Sequence, residues 1–175
     1  MPILTRLSLR EALLAVVPLC FSAACWADKD IAELSVSGTL ISPPCTASFP
    51  ASQTVNIPKV NLNSLRLDIT DWSDVALSFQ CVKGSQVKIK FTPGNGSFNS
   101  TTLLTTLEKL GLKTRLSDMT SMGREVDLKL GEQLSFPIED ILLELKLSVR
   151  PVKIEDELPS IGSYRSVLMM EIIYL

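Results

Sequence analysis

Residues 75–91 decide the fold: Val75-Ala76-Leu77-Ser78-Phe79-Gln80-Cys81 alternates apolar with polar side chains, and Val87-Lys88-Ile89-Lys90-Phe91 does so again a few residues later. Successive side chains of a strand point to opposite faces, so a period of two marks strands with one buried and one wet face. Cys81 shares the inward parity of the first of these strands. Pro93-Gly94-Asn95-Gly96 then supplies turn chemistry, because Asn-Gly tolerates the positive φ angles of tight turns.

The same period continues outward. Val126, Leu128 and Leu130 alternate with Asp127 and Lys129, and Leu143, Leu145, Leu147 and Val149 alternate with Glu144, Lys146, Ser148 and Arg150. Thr101 to Leu110 stays open between helix and strand: Leu103, Leu104 and Leu107 fit helical spacing, whereas the threonines favour strand. About seven such strands in roughly 130 residues predict an all-β, two-sheet sandwich of immunoglobulin-like type. A chain of 175 residues accommodates one such domain, and no repeat, low-complexity tract or linker divides it.

Residues 1–27 read as an export signal peptide. Arg6 and Arg10 give a basic start, Ala12 to Ala24 is an apolar run short for a membrane span, and small residues stand at Cys25 and Ala27. Ser22-Ala23-Ala24-Cys25 also loosely resembles a lipoprotein signal, without the usual Leu three residues before the cysteine. Loss of the signal changes the formal charge from 17 minus 19 to 15 minus 18, or −3. That balance suits neither nucleic acid nor an anionic membrane surface. Of the four cysteines, Cys45 and Cys81 are left, and in an exported chain they are expected to pair. Closing the loop of 36 residues would constrain the unfolded chain by about 4 kcal/mol.

Catalysis starts from a weak position, because the chain has no histidine and so lacks the commonest general base and metal ligand. Asp68, Asp71 and Asp74 have the spacing of a calcium loop but lack its glycine and closing glutamate. Glu139-Asp140 and Glu155-Asp156-Glu157 read as exposed loops. No cofactor and no metal site is expected.

The two ends of the mature chain are the unusual parts. In Asp28 to Pro44, the residues Ala32, Leu34, Val36, Gly38 and Leu40 share one parity, while Glu33, Ser35, Ser37 and Thr39 occupy the other. As a strand this segment presents one apolar edge with a gap at Gly38; an ordinary first strand of the domain is the other reading. Ser166 to Leu175 is apolar on both parities, with Leu168, Met170, Ile172 and Tyr174 on one and Val167, Met169 and Ile173 on the other. A strand of that kind needs a neighbour on each side, and the pattern leaves open which parity faces inward.

These residues resemble the subunits of chaperone–usher pili over nearly the whole mature chain. The resemblance rests on Val36-Ser37-Gly38-Thr39-Leu40-Ile41-Ser42-Pro43-Pro44-Cys45, on Leu77-Ser78-Phe79-Gln80-Cys81, on Gly111-Leu112, and on Gly162 and Tyr174 at the 14th and second positions from the end. The Gly, Pro and Cys spacing looks most like minor tip and adaptor subunits of P-type or type 1 pili. Leu175 departs from the pattern, as many relatives end in a polar residue.

The resemblance implies an incomplete immunoglobulin-like sandwich lacking its last strand, completed in trans by a donor strand. Residues 28–44 would be the donor-strand extension, with Ala32, Leu34, Val36, Gly38 and Leu40 entering a neighbour, and residues 45–175 the pilin domain. Gly162, Leu168, Met170, Ile172, Tyr174 and Leu175 would belong to the strand bordering the acceptor groove, which a chaperone fills first. Implied partners are a periplasmic pilus chaperone, an outer-membrane usher and neighbouring subunits. The role would be a non-enzymatic, structural one in a cell-surface pilus supporting adhesion. The alternative is a stand-alone exported β-sandwich binding domain, or a lipoprotein, whose first strand closes its own sandwich.

Overall fold

A computed structural model of the protein describes residues 34–40 and 42–174. The expected signal peptide 1–27, Ala32 and Leu175 lie outside the described residues. Residues 1–39 separate from residues 40–175 as a unit of their own. The described residues of the second unit hold ten strands and one short helix: β1 (Cys45–Ala47), α1 (Leu62–Arg66), β2 (Ser73–Cys81), β3 (Gln86–Pro93), β4 (Ser97–Asn99), β5 (Thr102–Leu104), β6 (Leu110–Asp118), β7 (Arg124–Val126), β8 (Gln133–Pro137), β9 (Leu142–Lys153) and β10 (Leu168–Tyr174).

The strands form two open antiparallel sheets. A seven-stranded sheet runs β1-β2-β9-β6-β5-β4, with β7 also paired to β6, and a three-stranded sheet runs β10-β3-β8. Neither closes on itself. The fold is therefore all-β and has the form of an immunoglobulin-like sandwich that lacks a closing strand.

The period-two reading places the core correctly. Leu77 and Phe79 of β2 face Leu145 and Leu143 of β9 across the ladder, and all four are buried with Val87, Ile89 and Phe91 of β3, Leu116 of β6 and Phe136 of β8 in one cluster. Each large side chain fully withdrawn from water contributes on the order of 1.5–3 kcal/mol, so this cluster is the main source of cohesion. Cys45 and Cys81 sit directly opposite in the β1–β2 ladder and form a disulfide, with Cα atoms 4.0 Å apart.

One segment departs from the sequence reading, and two others fill what it left open. The expected strand over Val126–Leu130 is laddered only through Val126; beyond it the chain leaves the seven-stranded sheet to enter β8 of the other. Leu128 is still buried there, while Leu130 N–H donates to Ser100 O and Gly131 N–H to Phe91 O. Thr101 to Leu110 resolves as strand β5 followed by a turn, where the Thr105 hydroxyl accepts from Leu107 N–H at 3.1 Å. Helix α1 had no periodic signal, being a single turn capped by Asn61, whose Oδ1 accepts from Ser64 N–H at 2.9 Å.

Gly111 has a steric reason to lack a side chain. A Cβ there would lie 2.6 Å from Ile154 Cγ2 and 2.7 Å from Thr102 Cγ2, closer than carbon atoms can pack. The acids of residues 68–74 are dispersed rather than gathered: Asp68 pairs with Arg150 at 3.0 Å and Asp74 with Lys146 at 3.8 Å. Arg150 and Arg115 both lie over the Trp72 ring, at 5.2 and 4.4 Å from its centroid. Among the described residues no cluster of three or more His, Cys, Asp or Glu side chains is placed to hold a metal ion.

Candidate functional site

Strand β10 pairs along its whole length with β3, Leu168 opposite Pro93, Met170 opposite Phe91, Ile172 opposite Ile89 and Tyr174 opposite Val87. That register selects the parity left open by the sequence. Leu168, Met170 and Ile172 pack against the core, whereas Met169 and Glu171 point outward.

The two strands differ in how well they are covered. Val87, Ile89 and Phe91 are at most 1 % exposed, yet Leu168, Met170 and Ile172 on β10 remain only half-buried. The cause is topological: β3 has a neighbour on each side, and β10 has none beyond β3 among the described residues. Its other edge presents unpaired backbone donors and acceptors beside an apolar strip, the usual template for strand addition. At the end of the other sheet, β1 pairs with β2 alone among the described residues. Ala47 and Phe49 there are likewise half-buried against the core, Phe49 standing edge-on to Phe79 at 5.2 Å.

Gly162 is not on this strand. The β3 ladder ends at Pro93, so the chain before Leu168 does not extend that ladder and is tied instead to loops and to the end of β5. Arg165 N–H donates to Thr106 Oγ1 at 3.0 Å, Ser166 Oγ to Leu104 O at 2.7 Å, and Val167 N–H to Asn95 Oδ1 at 3.0 Å. Gly162 lies in the preceding bend, exposed, its nearest neighbour being Leu107 Cδ1. The strand expected to include Gly162 thus begins only at Leu168.

Within the first unit, residues 34–39 form no strand or helix, and Leu40 continues in the same way. Leu34 is 85 %, Val36 86 % and Leu40 100 % exposed. Gly38 has no atom within 4 Å of the place its Cβ would take, and its φ is not in the left-handed region. Among the described residues neither a turn, a bulge nor a close approach requires glycine there.

No family model matches this sequence, and no curated protein matches it. Among solved structures, the chain is similar to the P pilus rod subunit PapA, at 18 % identity and a TM-score of 0.55, covering 75 % of this chain and 99 % of that one. It is also similar to a chain of a chaperone–usher pilus structure concerned with the molecular basis of rod uncoiling, at 17 % identity and a TM-score of 0.57, covering 85 % and 98 %. The chain therefore has the fold of pilus subunits.

Proposed function

We propose that the protein is a structural subunit of a cell-surface pilus, exported through the periplasm and assembled by chaperone-assisted donor-strand exchange. The observation that carries this reading is the pairing of an open apolar edge at β10 with an alternating apolar segment whose Leu34, Val36 and Leu40 are 85–100 % exposed. One is a strand without a site, the other a site without a strand. β-strand addition between subunits satisfies both, with main-chain hydrogen bonds giving affinity and alternate side chains giving specificity.

Residues 28–44 serve as the donor extension, with Ala32, Leu34, Val36 and Leu40 entering the neighbour's groove. Residues 45–175 form the acceptor domain, with Leu168, Met170, Ile172 and the Tyr174–Leu175 end along its groove. Burying Leu34, Val36 and Leu40 contributes from a few to ~9 kcal/mol gross, from which ordering the extension subtracts. A periplasmic chaperone covers the groove before assembly, and an outer-membrane usher receives the complex. The spacing of Gly38, Pro44 and Cys45 supports a minor or adaptor position, and the pilus as a whole supports adhesion.

Gly38 supplies the sharpest test, because nothing among the described residues needs a glycine there. On this reading it faces a shallow part of the neighbour's groove, so Gly38→Leu clashes on insertion. The mature chain is produced in the periplasm with and without a pilus chaperone, and the complex is challenged with a peptide of residues 28–44. Recovery only as a chaperone complex, release by the peptide and failure of the Gly38→Leu peptide are expected. A stable monomer made without a chaperone would contradict the reading and favour a self-contained binding domain.

A further inference from the structure

The end of the sandwich at which residue 44 enters β1 carries apolar side chains that the core does not use. Val82 N–H donates to Pro44 O at 2.7 Å and Cys81 N–H to Ile141 O at 2.8 Å, while Leu142 stands opposite Gln80 in the β2–β9 ladder. These bonds bring Val82, Ile141 and Leu142 together around the buried disulfide, yet they are 62 %, 56 % and 40 % exposed. Lys83, Glu139 and Asp140 are exposed at the margin. On the adjoining turn after β6, where Met119 N–H donates to Glu144 O, Met119 and Met122 are exposed as well. An apolar centre with a charged rim is the composition of a protein–protein contact.

We infer that this patch is the docking surface for the adjacent subunit, the one that takes up residues 32–40; the inference rests on the donor-strand reading above. Covalent reach identifies the occupant. Leu40 and Cys45 are five residues apart in the chain, a span of at most about 18 Å even when fully extended. Whatever grips Leu40 is therefore held beside the disulfide end. Pro43 and Pro44 fix their own φ angles and narrow the positions open to it. A tether this short gives the second contact an effective concentration of order mM, so a small apolar patch suffices to engage. The contact is heterologous: the disulfide end of this subunit meets a different face, the groove end, of the subunit ahead of it.

Hydroxyl-radical footprinting of the polymer recovered from producing cells, set against the chaperone-bound subunit, tests the surface. Val82, Ile141, Leu142 and the two methionines should lose several-fold of their labelling in the polymer, together with Leu34, Val36 and Leu40. The double variant Val82→Gln, Ile141→Gln should still form the disulfide and the chaperone complex. Its polymer should dissociate roughly tenfold to a hundredfold faster on heating, as expected for losing two apolar contacts. Protection of residues 34–40 with Val82, Ile141 and Leu142 labelled as in the subunit, or variant polymer as durable as the parent, would overturn the docking surface and leave donor-strand assembly standing. Residues 34–40 labelled freely in the polymer would overturn the donor-strand reading, and the surface with it.

Discussion

The three-stranded sheet has two edges, and they are finished differently. At β8 the strand spans Gln133–Pro137, Pro137 gives it no N–H to offer, and its inward Phe136 is buried. Short strands and proline are ordinary means of blunting an edge. At β10 the strand spans Leu168–Tyr174, contains no proline and a single charge, and keeps Leu168, Met170 and Ile172 half in water. The same sheet thus has one edge blunted by a short strand and a proline and one edge that is neither; the proposed function places the added strand at the second. Packing within the chain buries Phe136 and leaves Leu134 beside it half-buried, whereas on β10 all of Leu168, Met170 and Ile172 stay half-buried; the proposed function needs a strand added there.

The largest expected effect comes from supplying that strand in cis. Residues 28–44 appended after Leu175 through a Gly/Ser linker should raise unfolding stability by several kcal/mol, toward but below the ~9 kcal/mol gross value for three buried side chains. Denaturant unfolding checks this, and an unchanged midpoint would mean that β10 needs no partner. Truncations then sharpen the contrast between the edges. Phe136→Ala should cost about 3–5 kcal/mol with or without the appended strand, because its site is already complete. Met170→Ala should cost about 2–5 kcal/mol only in the fused chain and markedly less in the unfused one, where the side chain is still partly wet.

Away from both edges, Gly111→Ala should destabilise either form by about 1–3 kcal/mol, as the added methyl group meets Ile154 and Thr102. The smallest effect belongs to the exposed Lys109–Glu157 pair. Its hydrogen bond holds the Glu157 carboxyl below, and the Lys109 ammonium above, their ordinary values. The glutamate's contribution is present above the ordinary carboxylate pKa and lost as pH falls through the lowered one. The lysine's is present below its ordinary pKa and lost only as pH rises through the raised one. Screening makes both small at this exposure, so Glu157→Gln should leave the neutral-pH midpoint unchanged within error and only flatten its decline in acid.

Much of the core was legible because alternation reports burial directly: Val87, Ile89, Phe91 and Leu143 to Val149 all face inward as their parity requires. Alternation does not report laddering, which is why Leu128 is buried outside any strand. The apolar parity of β10 was undecidable from sequence because both of its faces carry large side chains. Only the register against β3, itself set by where Pro93 ends that strand, selects Leu168, Met170 and Ile172. Gly162 was misplaced for the same reason, since strand length depends on a partner distant in sequence. The Val82, Ile141 and Leu142 patch had no linear signal, for its members meet only through the ladder around Cys81.

The most direct measurement is amide hydrogen exchange along β10 and β8, compared between the unfused chain and the chain carrying the appended extension. An open acceptor edge predicts that amides within Leu168–Tyr174 exchange fast in the unfused chain and become strongly protected in the fused one, with Gln133–Pro137 unchanged. Equal protection of β10 in both forms, at the level of β3, would contradict the account.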